Sequence, residues 1–214
     1  MNIADAPERW PVVSSAELVR TRLVTVRADK VGTPDNHVAE RDVVLHPGAV
    51  AVLALDDADR ILMIRQYRHP VGALLWEIPA GLRDVPGEQL WVTAQRELVE
   101  EAGYRARDWR VLADYYSSPG YSTERLRIFL ARRLESVPAA ERNFVPEAEE
   151  AYLLVDWLPL EEGVRKVFAG ELHNGPAALA IMAGYAARSE GYDGLRPADA
   201  PEEQWRSASP EGPR

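Results

Sequence analysis

The sequence predicts a mixed α/β protein in which sheet packs against helices, and three observations carry that prediction. Short apolar runs stand on both sides of one strongly patterned helix, two more helical segments follow, and turn residues separate the runs. Residues 1–15 read as a loose leader, Glu17–Val26 alternates enough to form a first strand, and Arg41–Leu45 is a second. Ala49–Leu55 and Ile61–Arg65 are apolar runs joined by Asp56-Asp57-Ala58-Asp59, which reads as a hairpin turn. Leu74–Ile78 is a short strand ending at Pro79. Beyond the patterned helix, Trp109–Tyr116 and Leu126–Ala131 are strands parted by Ser117-Ser118-Pro119-Gly120, and Tyr152–Leu158 is another. Helices are expected over Leu160–Ala169, closed by Gly170, and over Pro176–Arg188. From Ser189 onward the chain is rich in Pro, Gly, Glu and Ser with little to bury, so a disordered tail is expected over 189–214. The leader and first strands, residues 1–45, form a small antiparallel unit ahead of a main domain at 46–188.

With 214 residues, 46% hydrophobic and 28% charged, the chain is long enough for one sizeable core. It contains no cysteine, which removes disulfides and thiolate metal sites from consideration. A net charge of −9 argues against general binding to nucleic acid or anionic membranes. The first residues lack the basic and apolar regions of a signal peptide, and no apolar run is long enough to span a bilayer, so the cytoplasm is the expected location.

The most informative stretch is Gly81–Tyr104, GLRDVPGEQLWVTAQRELVEEAGY. Wound as a helix from Gln89 to Ala102, it places Trp91, Ala94, Leu98, Val99 and Ala102 on one apolar arc and Glu97, Glu100 and Glu101 beside it. Glu97 and Glu101, one turn apart, repel each other, and at the edge of a core they need a cation or donors. Arg96 is expected to neutralise only one of them. Hard divalent ions take one or two carboxylates together with waters and phosphate oxygens. The helix therefore reads as a metal site, against the plainer reading of a solvated acidic face.

The spacing within this stretch resembles the Nudix box: glycine, five residues, glutamate, seven residues, then Arg-Glu-aliphatic-any-Glu-Glu-any-Gly-aliphatic. Gly81, Glu88, Arg96, Glu97, Leu98, Glu100, Glu101 and Gly103 fill the pattern. Two positions depart from it. Six residues separate Gly81 from Glu88, an insertion near Pro86 and Gly87 where a loop tolerates it, and Tyr104 takes the last aliphatic place. The flanks LLWEIPAGL and SSPGYSTER, with Pro119 sixteen residues beyond Gly103, resemble the ADP-ribose pyrophosphatase branch of that family, in its actinobacterial type. Pro119-Gly120 also has a plain reading as a turn.

The resemblance implies a mixed sheet between helices and a metal-dependent pyrophosphatase. It implies Glu97 and Glu101 as ligands of Mg²⁺, or of Mn²⁺ or another divalent ion, with the Ala80 carbonyl added and Glu100 a candidate for a further ion. Glu88 and Arg96 become a supporting ion pair that orients the helix. Glu150 corresponds to the catalytic base, with Glu149 and Glu147 as rivals in the same acidic cluster. Arg68 matches an arginine that contacts the substrate, and a guanidinium fork suits a diphosphate. Ser118 and Glu124 match ribose or phosphate contacts, and Leu82 offers its backbone. Arg41 and Asp42 match positions that reach the neighbouring subunit's substrate, which implies a homodimer. Trp76 is a candidate to stack adenine, although a tryptophan in an apolar strand is more often core. His46, His69 and His173 have no second ligand at metal-site spacing and read as structural or surface residues.

The expected substrate is ADP-ribose, split to AMP and ribose 5-phosphate. Another nucleoside-diphosphate sugar or an oxidised nucleotide would present the same box. A module that binds ADP-ribose without catalysis is the reading from a different class. Such modules tend to lose box glutamates, whereas here every one is present.

Overall fold

A computed structural model of the chain describes residues 3–142 and 152–202. These residues fall into two units, one comprising the chain up to Pro47 with Tyr116–Glu124 and 201–202, the other comprising Gly48–Tyr115 with Arg125–Ala200. None of the described helices is long and apolar enough to cross a membrane.

The first unit is an antiparallel meander of β1 (Val12–Arg20), β2 (Thr25–Gly32) and β3 (Val38–Leu45). The single strand expected over Glu17–Val26 is instead broken at Thr21. The Thr21 hydroxyl accepts hydrogen bonds from the amides of Leu23 at 3.2 Å and Val24 at 3.0 Å, a turn that the β-prone sequence disguises because no Gly or Pro marks it. The leader is correspondingly shorter than expected, since β1 begins at Val12. A connecting segment lies along β3: the Val44 amide donates to Tyr121 O at 2.7 Å and the His46 amide to the Thr123 hydroxyl at 3.0 Å.

The second unit holds two sheets. In one, β7 (Ala80–Leu82), β4 (Ala49–Ala54), β9 (Arg125–Ser136), β8 (Tyr104–Tyr116) and β11 (Arg196–Pro197) lie side by side, with β4 parallel to β9 and antiparallel to β7. The other orders β10 (Leu154–Pro159), β5 (Arg60–Arg68) and β6 (Ala73–Glu77). Strand β4 is apolar throughout because both its faces are buried. Ala51 and Leu53 join Ile61, Met63 and Ile181 in one cluster, while Val50, Val52 and Ala54 join Leu62, Ala94, Leu98 and Phe129 in another. Each large side chain fully buried here, such as Leu53 or Phe129, contributes about 2–3 kcal/mol. Helix α1 (Leu90–Ala102) belongs to the second cluster; α2 (Leu160–Phe168) and α3 (Gly175–Arg188) belong to the first.

The turn at Asp56–Asp59 forms as expected, its Asp56 carboxylate accepting from the amides of Ala58 at 2.9 Å and Arg60 at 2.8 Å. The hairpin does not. Strands β4 and β5 diverge into different sheets after one bridge, Leu55 to Ile61, because each run is apolar on both faces and each has a core on either side. The expectation of a disordered tail from Ser189 also fails for its first part. Tyr192 is 6% exposed in the core, and β11 pairs with β8. Arg127 donates to the Ala200 carbonyl at 2.7 Å, and Asp114 accepts from Arg127 at 2.7 Å and from Arg196 at 2.9 Å. One aromatic ring and one arginine thus anchor a segment whose average composition is polar.

Candidate active site

Helix α1 owes its placement to Ala94, Leu98 and Ala102, one turn apart and all buried. Gly103 ends it in the left-handed conformation at φ 71°, its amide donating to the carbonyls of Leu98 and Val99. At the other end, buried Thr93 donates its hydroxyl to Glu88 Oε2 at 2.7 Å, tying the preceding loop to the first turn.

The anchored helix delivers its acids to β7, the three-residue strand that sequence patterning passed over because it contains a glycine and is so short. Glu101 Oε2 accepts from the Ala80 amide at 2.8 Å. Glu97 lies against Gly81 so closely that a Cβ there would overlap its carboxylate. Gly81 is thus required for clearance, not for backbone freedom. Gly81, which opens the box, and the two helix glutamates thus meet along a half-buried strand.

Arg96 is a hub. Its Nη1 lies 2.6 Å from Glu97 and 3.1 Å from Glu100, while its Nη2 lies 3.4 Å from Glu88 and 3.9 Å from Asp84. Of the Glu97–Glu101 pair it meets Glu97, as expected, and its single charge is shared with three further carboxylates, Glu88, Glu100 and Asp84. The pair with Glu88 is present but long, and Glu88 holds Thr93 more closely. Burial opposes the Arg96 charge, but Glu97 foremost, with Glu88 and Glu100, holds the guanidinium firmly protonated. Even so, Glu97 is under-compensated. Burial raises its pKa, and despite Arg96 the Glu100 and Asp84 charges help to leave it at about 7. A buried carboxylate in that condition, beside a second one a turn away, is the chemistry that a divalent cation relieves. Among the described residues no group of three or more His, Asp or Glu side chains could hold a metal ion, and the acids that meet β7 are two, Glu97 at Gly81 and Glu101 at Ala80. That set fits an ion such as Mg²⁺, which keeps several waters and takes one or two carboxylates.

The other expected residues fall into separate groups. Arg68, on β5, is paired with Glu77 rather than standing alone, and Leu82 is half-buried on β7 opposite Ala49. In the first unit, Glu124 accepts from the hydroxyl of Ser117, not of Ser118, and lies 3.7 Å from His46. The Ser118 carbonyl closes the turn, accepting from the Ser122 amide at 2.9 Å. Arg41 and Asp42, opposite Asp29 and Ala28 on β2, project from opposite faces of the sheet, so a ligand on one face meets only one of those side chains. Glu147, Glu149 and Glu150 lie outside the described residues.

Trp76 is placed away from α1. It packs with the α3-side core and carries the Arg65 guanidinium 5.6 Å from its ring, which supports the core reading over adenine stacking. The same side of β5 lines a cavity of about 360 Å³ with Met63, Trp76, Asp156, Lys166 and Leu172. Its Lys166 is already bonded to Glu171 at 2.7 Å, and it lies on the strand face opposite the one that meets α1.

Comparison with known proteins accords with this geometry. Residues 45–176 match the NUDIX domain. The chain is 40% identical over 194 residues to an ADP-ribose pyrophosphatase of Mycobacterium tuberculosis, covering 91% of each protein. It is 34% identical over 170 residues to an ADP-ribose pyrophosphatase of Bacillus subtilis, covering 79% of this chain and 89% of that one. A solved structure described as an ADP compounds hydrolase shares the fold with a TM-score of 0.72 at 22% identity, covering 88% of this chain and 99% of the other. With Glu97 and Glu101 set at β7 and more than half of the chain matched to the domain, the chain belongs to the Nudix family.

Proposed function

We propose that this protein is a metal-dependent pyrophosphatase that hydrolyses ADP-ribose to AMP and ribose 5-phosphate, with Mg²⁺ as the ion. The observation that carries the reading is the Glu97–Glu101 pair set against Gly81 and the Ala80 amide, in a chain whose similar proteins include ADP-ribose pyrophosphatases. Glu97 and Glu101, with the Ala80 carbonyl, are the residues that would hold the ion. A bound divalent ion supplies charge neutralisation at the diphosphate and a lowered pKa for water.

The protein's own residues do the rest. Arg96 keeps Glu97 and Glu100 oriented while Glu88 and Thr93 hold the loop in register with the helix. Arg68 presents its guanidinium to the diphosphate. Glu150, with Glu149 and Glu147 as rivals, accepts the proton of the attacking water as the new P–O bond forms and the anhydride P–O bond breaks. The leaving phosphate departs as the second monoester.

The assembly we propose is a homodimer built on the first unit, with Arg41 or Asp42 serving the partner's site. Every position of β1 is exposed, including Val13 at 62% and Leu18 at 57%, and a three-stranded sheet with an apolar open edge is marginal by itself.

Incubation with a panel of nucleoside-diphosphate derivatives and Mg²⁺, followed by mass spectrometry, tests the reading. AMP and ribose 5-phosphate should appear fastest, from ADP-ribose. Faster turnover of another sugar nucleotide, or of an oxidised nucleotide, would replace the substrate, and binding of ADP-ribose without products would replace the enzyme.

A further inference from the structure

Strand β5 has one face on the side of α1. Leu62 clusters there with Ala94 and Leu98, and strand alternation puts Ile64, Gln66 and Arg68 on that same side. Three polar groups occupy this face toward its end. Glu77 has a side chain only 3% exposed, and both its oxygens are taken by Arg68, Nε to Oε1 at 2.8 Å and Nη2 to Oε2 at 2.7 Å. Gln66 is 6% exposed, and its amide Oε1 has no partner.

The register makes the pairing informative. Arg68 stands opposite Ala73, whereas Glu77 stands opposite Ile64. The arginine therefore does not meet its cross-strand neighbour. Its side chain runs back along the sheet, past the Gln66–Leu75 pair, to reach the acid. Such a path extends a long flexible side chain and spends two of its five donors on a single carboxylate. A buried ion pair is weak evidence for stability, because apolar side chains of the same volume pack as well or better. What the bidentate clamp does supply is orientation: it fixes the plane of a guanidinium that is itself 42% exposed.

We infer that Glu77 is a positioning residue, which holds the Arg68 fork on the α1 side of the sheet in the orientation that receives the substrate's diphosphate. This rests on the proposed role of Arg68. Glu77 itself touches no substrate. By fixing the arginine in advance it removes side-chain freedom that binding would otherwise have to quench, so its effect falls on substrate affinity and not on the chemical step.

Steady-state kinetics on Glu77→Gln, Arg68→Lys, Arg68→Ala and the Glu77→Gln/Arg68→Ala double variant test the inference, with thermal melting to establish folding. Glu77→Gln should raise KM about tenfold and leave kcat within about threefold, because one acceptor remains but the two-point clamp is lost. Arg68→Lys, which keeps the charge without the fork, should do the same and fold normally. In the Arg68→Ala background, Glu77→Gln should add nothing to KM, since the residue through which it acts is gone. It should instead raise the melting temperature there, by removing an unpaired buried charge.

A wild-type KM in Glu77→Gln, when Arg68→Ala raises KM, would overturn the inference. So would an equal rise with and without Arg68. A wild-type KM in Arg68→Ala would instead remove the role of Arg68 on which the inference stands. Should ADP-ribose prove a poor substrate, the same variants are measured with whichever nucleoside-diphosphate sugar is turned over, because the diphosphate is common to all.

Discussion

The loop and helix from Ala80 to Gly103 and the meander from Val12 to Leu45 use their residues in opposite ways. In the first, nearly every polar side chain is held by another: Glu101 by the Ala80 amide, Glu88 by Thr93, and Glu97 and Glu100 by Arg96. In the second, β1 makes its ladder with β2 but is exposed along its whole length. The meander holds a polar cluster in which Asp29 accepts from Arg27 at 2.9 Å and from Ser15 at 2.6 Å. The first region's contacts are all made between described residues of one unit, whereas the second leaves β1 exposed, the face on which the proposed dimer is built.

The largest expected effects lie in the first region. Glu97→Gln and Glu101→Gln should each lower kcat for ADP-ribose by at least about a hundredfold in steady-state assays, because in the proposed site each removes a charged ligand at the reacting phosphate. Both proteins should remain folded by circular dichroism. Near-wild-type turnover at saturating Mg²⁺ in both would dissolve the contrast between the two regions.

Next in size is the dimer. Arg41→Ala should raise KM without changing metal affinity. Mixing Arg41→Ala with Glu97→Gln subunits should restore part of the lost activity, since one site of each heterodimer then carries both lesions and the other neither. Light scattering at micromolar concentration should report two chains, and a monomer would mean that the exposed face of β1 has no partner. Within the same region, Val13→Ser and Leu18→Ser should weaken dimerisation while leaving the melting temperature of the catalytic unit unchanged.

The smallest effect concerns the segment after α3. Burial alone would raise the Asp114 pKa, but Arg127 and Arg196 more than offset it and hold the carboxyl below its ordinary 3.8. The folded pKa is depressed, so the stability it contributes is present above the unfolded value and is lost as pH falls through the folded one. The melting temperature of Asp114→Asn should lie below that of the wild type at pH 6, and the gap should close as the pH drops below about 4.

What was legible in the sequence follows the same division. The box could be read because its interactions are local: Glu97 and Glu101 are spaced by one helical turn, and Gly103 stops the helix where a left-handed residue is needed. Even there, the reason for Gly81 was hidden, because the overlap with Glu97 is a contact between residues sixteen apart in sequence. Strand β7 escaped notice because three residues leave no periodicity to detect. The split of β4 from β5 was masked by a good turn sequence, since turn chemistry specifies a reversal of the chain and not which sheet each arm joins. Tyr192 and Arg127 hold in place a segment that looked disordered, because composition averages over the one or two side chains that anchor it. Glu77 read only as part of the stretch LLWEIPAGL, and nothing local announced that Arg68 would cross the strand to reach it.

The central claim is that Glu97 and Glu101 hold the catalytic cation, and a titration with Mn²⁺ followed by electron paramagnetic resonance tests it most directly. The wild-type protein should bind the ion, and the Glu97→Gln/Glu101→Gln double variant, folded to the same melting temperature or higher, should show binding weakened by at least about tenfold. Equal Mn²⁺ affinity in the two proteins would contradict the account, because the cation would then be held elsewhere.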